Sequence, residues 1–126
     1  MSKNIVSTDK APAAIGPYSQ AVVANGFVFT SGVIPVDPAT AKVVEGGITE
    51  QVTQVMENLT AVLAASGSSL DRAVKTTCFL ADLNDFATFN SIYATYFTSD
   101  PPARSTVQVA KLPLGVLVEV ECVALV

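Results

Sequence analysis

The chain has no histidine and no tryptophan, only two cysteines, and a thin coat of charge: seven Lys or Arg and eleven Asp or Glu among 126 residues. Without histidine, Ser-His-Asp and Cys-His relays and every His-containing zinc site are excluded. Two cysteines cannot build a four-cysteine site. Cys78 and Cys122 have no CxxC spacing and sit in apolar, strand-like runs, so they read as buried free thiols suited to a reducing compartment. The polar stretch Met1 to Lys10 carries no export core and no Arg-rich amphipathic pattern, and no apolar run approaches the roughly 18 residues of a membrane span. A cytoplasmic protein without a membrane partner is the expectation. The net charge is −4 and the basic residues are scattered singly, which argues against nucleic acid as the main partner. Average proteins are about a quarter charged, whereas this one is 14% charged and 50% apolar. That is too little charge to coat a monomer, and it points to an oligomer.

What is present suggests one domain over residues 1–126, since no repeat, low-complexity tract or linker divides the chain. From Ile48 onward, Val52, Val55, Met56, Leu59, Val62 and Leu63 recur at helical spacing opposite Glu50, Gln51, Gln54, Glu57 and Asn58. Gly46-Gly47 opens this helix and Gly67 is placed to close it. A second helix is expected from Asn84-Asp85, both suited to capping, with Phe86, Phe89, Tyr93 and Tyr96 or Phe97 along one face as core. Strands are expected over Asn4 to Ser7, Tyr18 to Ala24, Phe27 to Ser31, Val74 to Leu80, Ser105 to Val109 and Val116 to Val123. Asn25-Gly26 marks a type I′ hairpin. The economical arrangement is α+β: a six-stranded mixed sheet with both helices on one face. The other face, also rich in apolar residues, then needs a partner copy.

With histidine absent, carboxylates, Arg, Lys and Tyr are the candidate reactive groups. Arg104 follows the stiff Pro101-Pro102-Ala103 lead-in and shares a strand face with Thr106 and Gln108. It reads either as a rigidly held fork for a carboxylate or as an exposed rim charge. Glu119 and Glu121 leave the same face of an otherwise apolar strand, which suits acid/base work or, alternatively, an edge strand protected by charge. Asp82 and Asp85 lack calcium-loop spacing, and Gly46-Gly47 lacks the Lys-Ser or Lys-Thr of a phosphate loop, so neither a metal nor a nucleotide cofactor is expected.

Four segments together carry a likeness: I-G-P-Y-S-Q-A at Ile15 to Ala21, T-S-G-x-I-P at Thr30 to Pro35, D-L-N-D-F-A-x-x-N at Asp82 to Asn90, and P-A-R-S at Pro102 to Ser105. With V-A-K-L-P at Val109 to Pro113, they make the chain resemble the RidA (YjgF-like) family of reactive-intermediate deaminases along essentially its whole length. The resemblance implies a chorismate-mutase-like α+β fold and a homotrimer with a central barrel-like core and clefts between subunits. It also implies cofactor-free hydrolysis of enamines and imines, such as 2-aminoacrylate and 2-iminobutyrate, to 2-oxo acids and ammonia. By position it gives Arg104 the substrate carboxylate, Glu119 the water (Glu121 being the alternative), Tyr18 the pocket wall, and Ser31, Gly32, Asn90 and Thr106 substrate contacts. Thr106 stands where many members have Cys, and Gln108 and Lys111 replace the commoner Glu and Arg. Members have also been described as endoribonucleases or translation inhibitors, and a non-catalytic holdase or small-carboxylate-binding module is the third implied class.

Overall fold

The strongest apolar recurrence forms the longest element. In the computed structural model, which describes residues 2–126, helix α1 spans Ile48–Ala65. Met1, the first residue of the expected domain, lies outside the described residues. Gly46 takes the left-handed φ of +113°, and the Glu50 carboxylate accepts the Gly47 N–H at 2.8 Å. At the other end Gly67 sits at φ +80°, with its N–H donating to the Ala64 carbonyl and the Ser68 N–H to the Leu63 carbonyl, a Schellman closure. Two residues expected on the solvent side are buried. Asn58 donates to the Ile34 and Val36 carbonyls, and Gln51 accepts the Leu117 N–H at 2.8 Å. They face inward because irregular segments cross the helix there and their backbone groups need partners.

The strands are β1 (Asn4–Val6), β2 (Ala21–Ala24), β3 (Phe27–Thr30), β4 (Val36–Asp37), β5 (Lys42–Val43), β6 (Ala73–Leu80), β7 (Ala103–Gln108) and β8 (Val118–Leu125). Six form one mixed sheet in the order β1-β2-β3-β8-β6-β7, and β4 and β5 make a separate small hairpin that alternation is too short to announce. Asn25 (φ 52°) and Gly26 (φ 83°) form the expected tight turn between β2 and β3. All sheet pairings are antiparallel except β6 with β7, whose crossover is helix α2 (Phe86–Tyr96). Asp85 stands at the N-cap of α2, its side chain making no capping bond, and the Asp82 carboxylate accepts the Asn84 N–H at 2.8 Å to cap the 3₁₀ turn over Leu83–Asp85 that leads into it. Gln108 at the end of β7 accepts the Leu83 N–H at 2.8 Å and ties the edge strand to that turn.

Strand parity sorts the side chains. Val28, Thr76, Cys78, Leu80, Val118, Val120, Cys122 and Ala124 are buried on the helix side with the apolar face of α1. The opposite face leaves Ile5 58%, Phe29 47% and Val107 42% exposed. Burying such a face elsewhere is worth about 25 cal/mol for every Å² removed from water. Because β8 lies between β3 and β6, Glu119 and Glu121 stand on a central strand. The protected-edge explanation of that pair is therefore wrong; the sequence shows alternation within a strand but not which strands flank it.

Candidate active site

Glu119 is paired with Phe79 and Glu121 with Thr77, residues of the open face. Beside Glu119, Val33 exchanges two backbone hydrogen bonds with Val120, at 2.8 and 3.1 Å, which fastens the preceding Gly32 against the glutamate. A Cβ on Gly32 would overlap the Glu119 carboxylate, so any side chain there would force the carboxylate to swing aside. Around them lies an open cleft of about 350 Å³ that also touches Ile15, Tyr18, Ser31 and Pro113. Burial, reinforced by the charge of Glu121, raises the Glu119 carboxyl above its usual 4.5. Ser31 Oγ donates to the Ser19 carbonyl at 2.6 Å, and the Tyr18 hydroxyl accepts the Ile15 N–H at 3.3 Å, leaving its own proton free to donate. Tyr18 and Ser31, expected as the first residue of one strand and the last of the next, lie outside β2 and β3.

Arg104 belongs to the other side. It pairs with Thr76 and Thr106 with Cys78, both of the helix face. The Arg104 guanidinium carbon lies 4.8 Å from the ring centre of Tyr93, 5.6 Å from Phe86 and 5.7 Å from Phe89, all on one stripe of α2. Aromatic faces attract a guanidinium and leave its planar fork free at the outer edge. The cradle is itself fixed: Phe89 is fully buried, and the Tyr93 hydroxyl shares a 2.7 Å hydrogen bond with Thr76. Among the described residues, Asn90 Oδ1 and Thr106 Oγ1 are buried without a hydrogen-bond partner. Two orphaned buried oxygens, one on α2 and one on β7, are costly to fold and are suited to a ligand.

The sequence-derived site residues thus fall into two groups. Tyr18, Ser31, Gly32 and Glu119 share the cleft, and Arg104, Asn90 and Thr106 share the α2 side, separated by the sheet. Ile15, Ile34 and Pro113 also line the cleft, and all three sit inside the motifs that carry the likeness, where nothing in the residues themselves marks them as site residues. Phe86, Phe89 and Tyr93 read only as core; their added role depends on the strand that packs beneath them. Burial pushes the Cys78 thiol up to about 11 and the Cys122 thiol to about 12, so neither is a nucleophile near neutral pH. Among the described residues no cluster of His, Cys, Asp or Glu could hold a metal, and no helix is long and apolar enough to cross a membrane.

A family model described as endoribonuclease L-PSP matches residues 8–126. The chain belongs to the endoribonuclease L-PSP family, also called RidA or YjgF. Among L-PSP relatives, it is 53% identical to Reactive Intermediate Deaminase A, chloroplastic, of Arabidopsis thaliana, over 98% of this chain and 66% of that protein. It is 48% identical to the Mus musculus 2-iminobutanoate/2-iminopropanoate deaminase, over 97% of this chain and 90% of that one. The crystal structure of E. coli TdcF with bound serine superposes with a TM-score of 0.93 at 43% identity, covering 98% of both chains. The two-helix, six-stranded mixed sheet is the L-PSP fold.

Proposed function

We propose that this protein is a cytoplasmic hydrolase of 2-imino acids and their enamine tautomers, of the 2-iminobutanoate and 2-iminopropanoate class, and that it works as a homotrimer. The observation that carries the reading is the half-buried Glu119 carboxyl, raised in pKa and set against the bare backbone of Gly32 in an open cleft. A carboxylate in that setting is a base for water rather than a surface charge. The relatives named as imine deaminases support the same chemistry, and serine bound to TdcF is a small carboxylate with nitrogen on the adjacent carbon.

In this mechanism the Arg104 fork holds the substrate carboxylate in a bidentate pair, while Asn90 and Thr106 supply hydrogen-bond partners beside it. Glu119 takes a proton from water as the water oxygen bonds to C2, and the C=N π pair moves to nitrogen. That proton is then returned to nitrogen to give a carbinolamine; Glu119 next passes the C2 hydroxyl proton to nitrogen as the C=O bond forms and the C–N bond breaks, and the 2-oxo acid and ammonia leave. Tyr18 walls the pocket and donates a hydrogen bond, with Ser31 and Gly32 forming the floor. An imine is already electrophilic, so a clamp and a placed water suffice, and the chemistry needs no cofactor.

Arg104 and Glu119 occupy opposite faces of one sheet, so the site is completed by a neighbouring copy. Apposition of subunits through the bare apolar face, giving the barrel-like trimer core, is the economical way to join them. The two buried free thiols suit the cytoplasm. A ribonuclease reading, suggested by the family's descriptive name, finds no clustered cations along a chain of net charge −4.

The test is the decay of 2-iminobutanoate generated in situ by an amino-acid oxidase. Wild type should accelerate it and Arg104→Ala should abolish the acceleration. Arg104→Lys should be severely impaired, because a point charge does not replace the fork. Equal decay with and without wild-type protein would refute the reading.

A further inference from the structure

One buried side chain has no part in the mechanism or in the sheet. Gln20 is 8% exposed and stands immediately before β2, at the end of residues 7–20, which join β1 to β2 without helix or strand. A connection of that length inside a compact domain is uncommon and is usually functional. This one carries Ile15 and Tyr18 onto the Glu119 cleft.

Among the described residues, hydrogen bonds from the rest of the chain reach residues 8–19 from two side chains, Gln20 and Ser31. Ser31 holds the far end: its Oγ donates to the Ser19 carbonyl at 2.6 Å, and its N–H donates to the Gln20 carbonyl at 3.0 Å. Gln20 holds the near end. Its Oε1 accepts the Thr8 N–H at 2.7 Å, and its Nε2 donates to the carbonyls of Thr8 and Pro12 at 3.0 and 2.7 Å, with the Ala11 carbonyl at 3.4 Å from the same nitrogen. The orientation of this amide is unique, because the N–H can only donate and the carbonyls can only accept.

Between the two fastenings, Ala13 to Tyr18 hydrogen-bond among the described residues only with one another: the Tyr18 N–H donates to the Gly16 carbonyl at 2.8 Å, and the Ile15 N–H to the Tyr18 hydroxyl at 3.3 Å. Burying an amide costs free energy unless its groups are bonded, and every bond of this side chain goes to the strap. An apolar residue of the same length would fill the space, leave the Thr8 N–H and the Pro12 carbonyl without their partner, and let the limb that bears Tyr18 regain backbone entropy. Arg104 and Glu119 are fixed separately, within β7 and β8.

We propose that Gln20 is a positioning residue of the candidate site: its amide staples residues 8–12 to the start of β2, and through that staple it holds Tyr18 at the Glu119 cleft. The effect on turnover rests on the imine-hydrolase reading of the cleft; the placement of Tyr18 does not.

The experiment is a double-mutant cycle with two readouts. In the decay of 2-iminobutanoate, Gln20→Met should lower kcat/KM about tenfold, the scale of one well-placed hydrogen bond. In a Tyr18→Ala background the same change should cost less than about twofold, because the group that Gln20 places is gone. A merely structural role would lower kcat/KM by the same factor in both backgrounds, and that result would overturn the proposal. The second readout needs no reaction. The chain has three tyrosines, so labelling with 3-fluorotyrosine gives three fluorine signals, of which Tyr18→Ala identifies one. In Gln20→Met the Tyr18 signal should move to the position of free 3-fluorotyrosine while those of Tyr93 and Tyr96 stay. A Tyr18 signal that does not move, or that already sits at the free position in wild type, would overturn the proposal. If Gln20→Met does not fold, Gln20→Glu, which keeps an acceptor for the Thr8 N–H and loses the donated bonds, carries the same cycle. A wild type that accelerates no imine would overturn the hydrolase reading, and the fluorine spectrum would still decide whether Gln20 places Tyr18.

Discussion

The two faces of the sheet hold their reactive groups in opposite ways. On the helix side Arg104 is set by packing: three aromatic rings of α2 surround its guanidinium, and beneath them the Tyr93–Thr76 hydrogen bond lies in the core. On the open side Glu119 is set by backbone: the Val33–Val120 bridge presses Gly32 against it, and the surroundings are a cleft and a bare apolar surface. The cation therefore has its geometry within one folded chain. The carboxylate has its position there too, but its full exclusion from water waits for whatever covers the open face. A cation held by packing and a carboxylate tuned by its surroundings are different problems, and one sheet solves each on the side that suits it.

That contrast breaks most severely at Gly32. Gly32→Ala should lower kcat/KM by about a hundredfold, because the new methyl displaces the Glu119 carboxylate by an ångström or more. Steady-state kinetics on folded protein checks this, and near-wild-type activity would show that Glu119 need not sit where it does.

A second prediction concerns tuning. In the proposed mechanism Glu119 acts as carboxylate, so activity should fall as pH drops through its raised pKa, and the acid limb should lie above the ordinary carboxylate range. Glu121→Gln removes one of the two causes of the shift and should move that limb to lower pH, burial holding the rest. The linkage has a definite sign. The folded state binds this proton more tightly than the unfolded one, so the group's contribution to stability is greatest below the unfolded pKa and is lost as pH rises through the folded pKa. An acid limb that does not move in Glu121→Gln would assign the limb to another group.

The smallest effect is expected on the helix side. Tyr93→Phe keeps the ring over Arg104 but removes the partner of the buried Thr76 hydroxyl, which should cost about 1–2 kcal/mol in urea unfolding with KM nearly unchanged. A large rise in KM with intact stability would mean that the hydroxyl, rather than the ring, holds the arginine.

Much of this was legible in the residues. The 3.6-residue recurrence from Ile48 and its flanking glycines gave α1 with both ends, and Asn25-Gly26 gave the hairpin. The six sheet strands were visible by alternation, with their ends displaced by a few residues where Tyr18 and Ser31 turn out of the ladder. Alternation tells which residues of one strand share a face. It does not tell which strands are neighbours, and so it could not show that β8 is central or that Arg104 and Glu119 are on opposite faces. Asn58 and Gln51 looked like solvent-side residues because their partners are backbone carbonyls and amides of distant segments. The left-handed turn at Leu114 has no local signal either, since leucine is not a residue that favours it.

The proposed site joins Arg104 of one subunit to Glu119 of another. Arg104→Ala and Glu119→Ala should each be inactive alone. Co-expressed so that subunits mix at random, they should regain about a quarter of wild-type activity, the fraction of interfaces that pair an intact Arg104 with an intact Glu119. Mixed oligomers that form and remain as inactive as either parent would contradict the account.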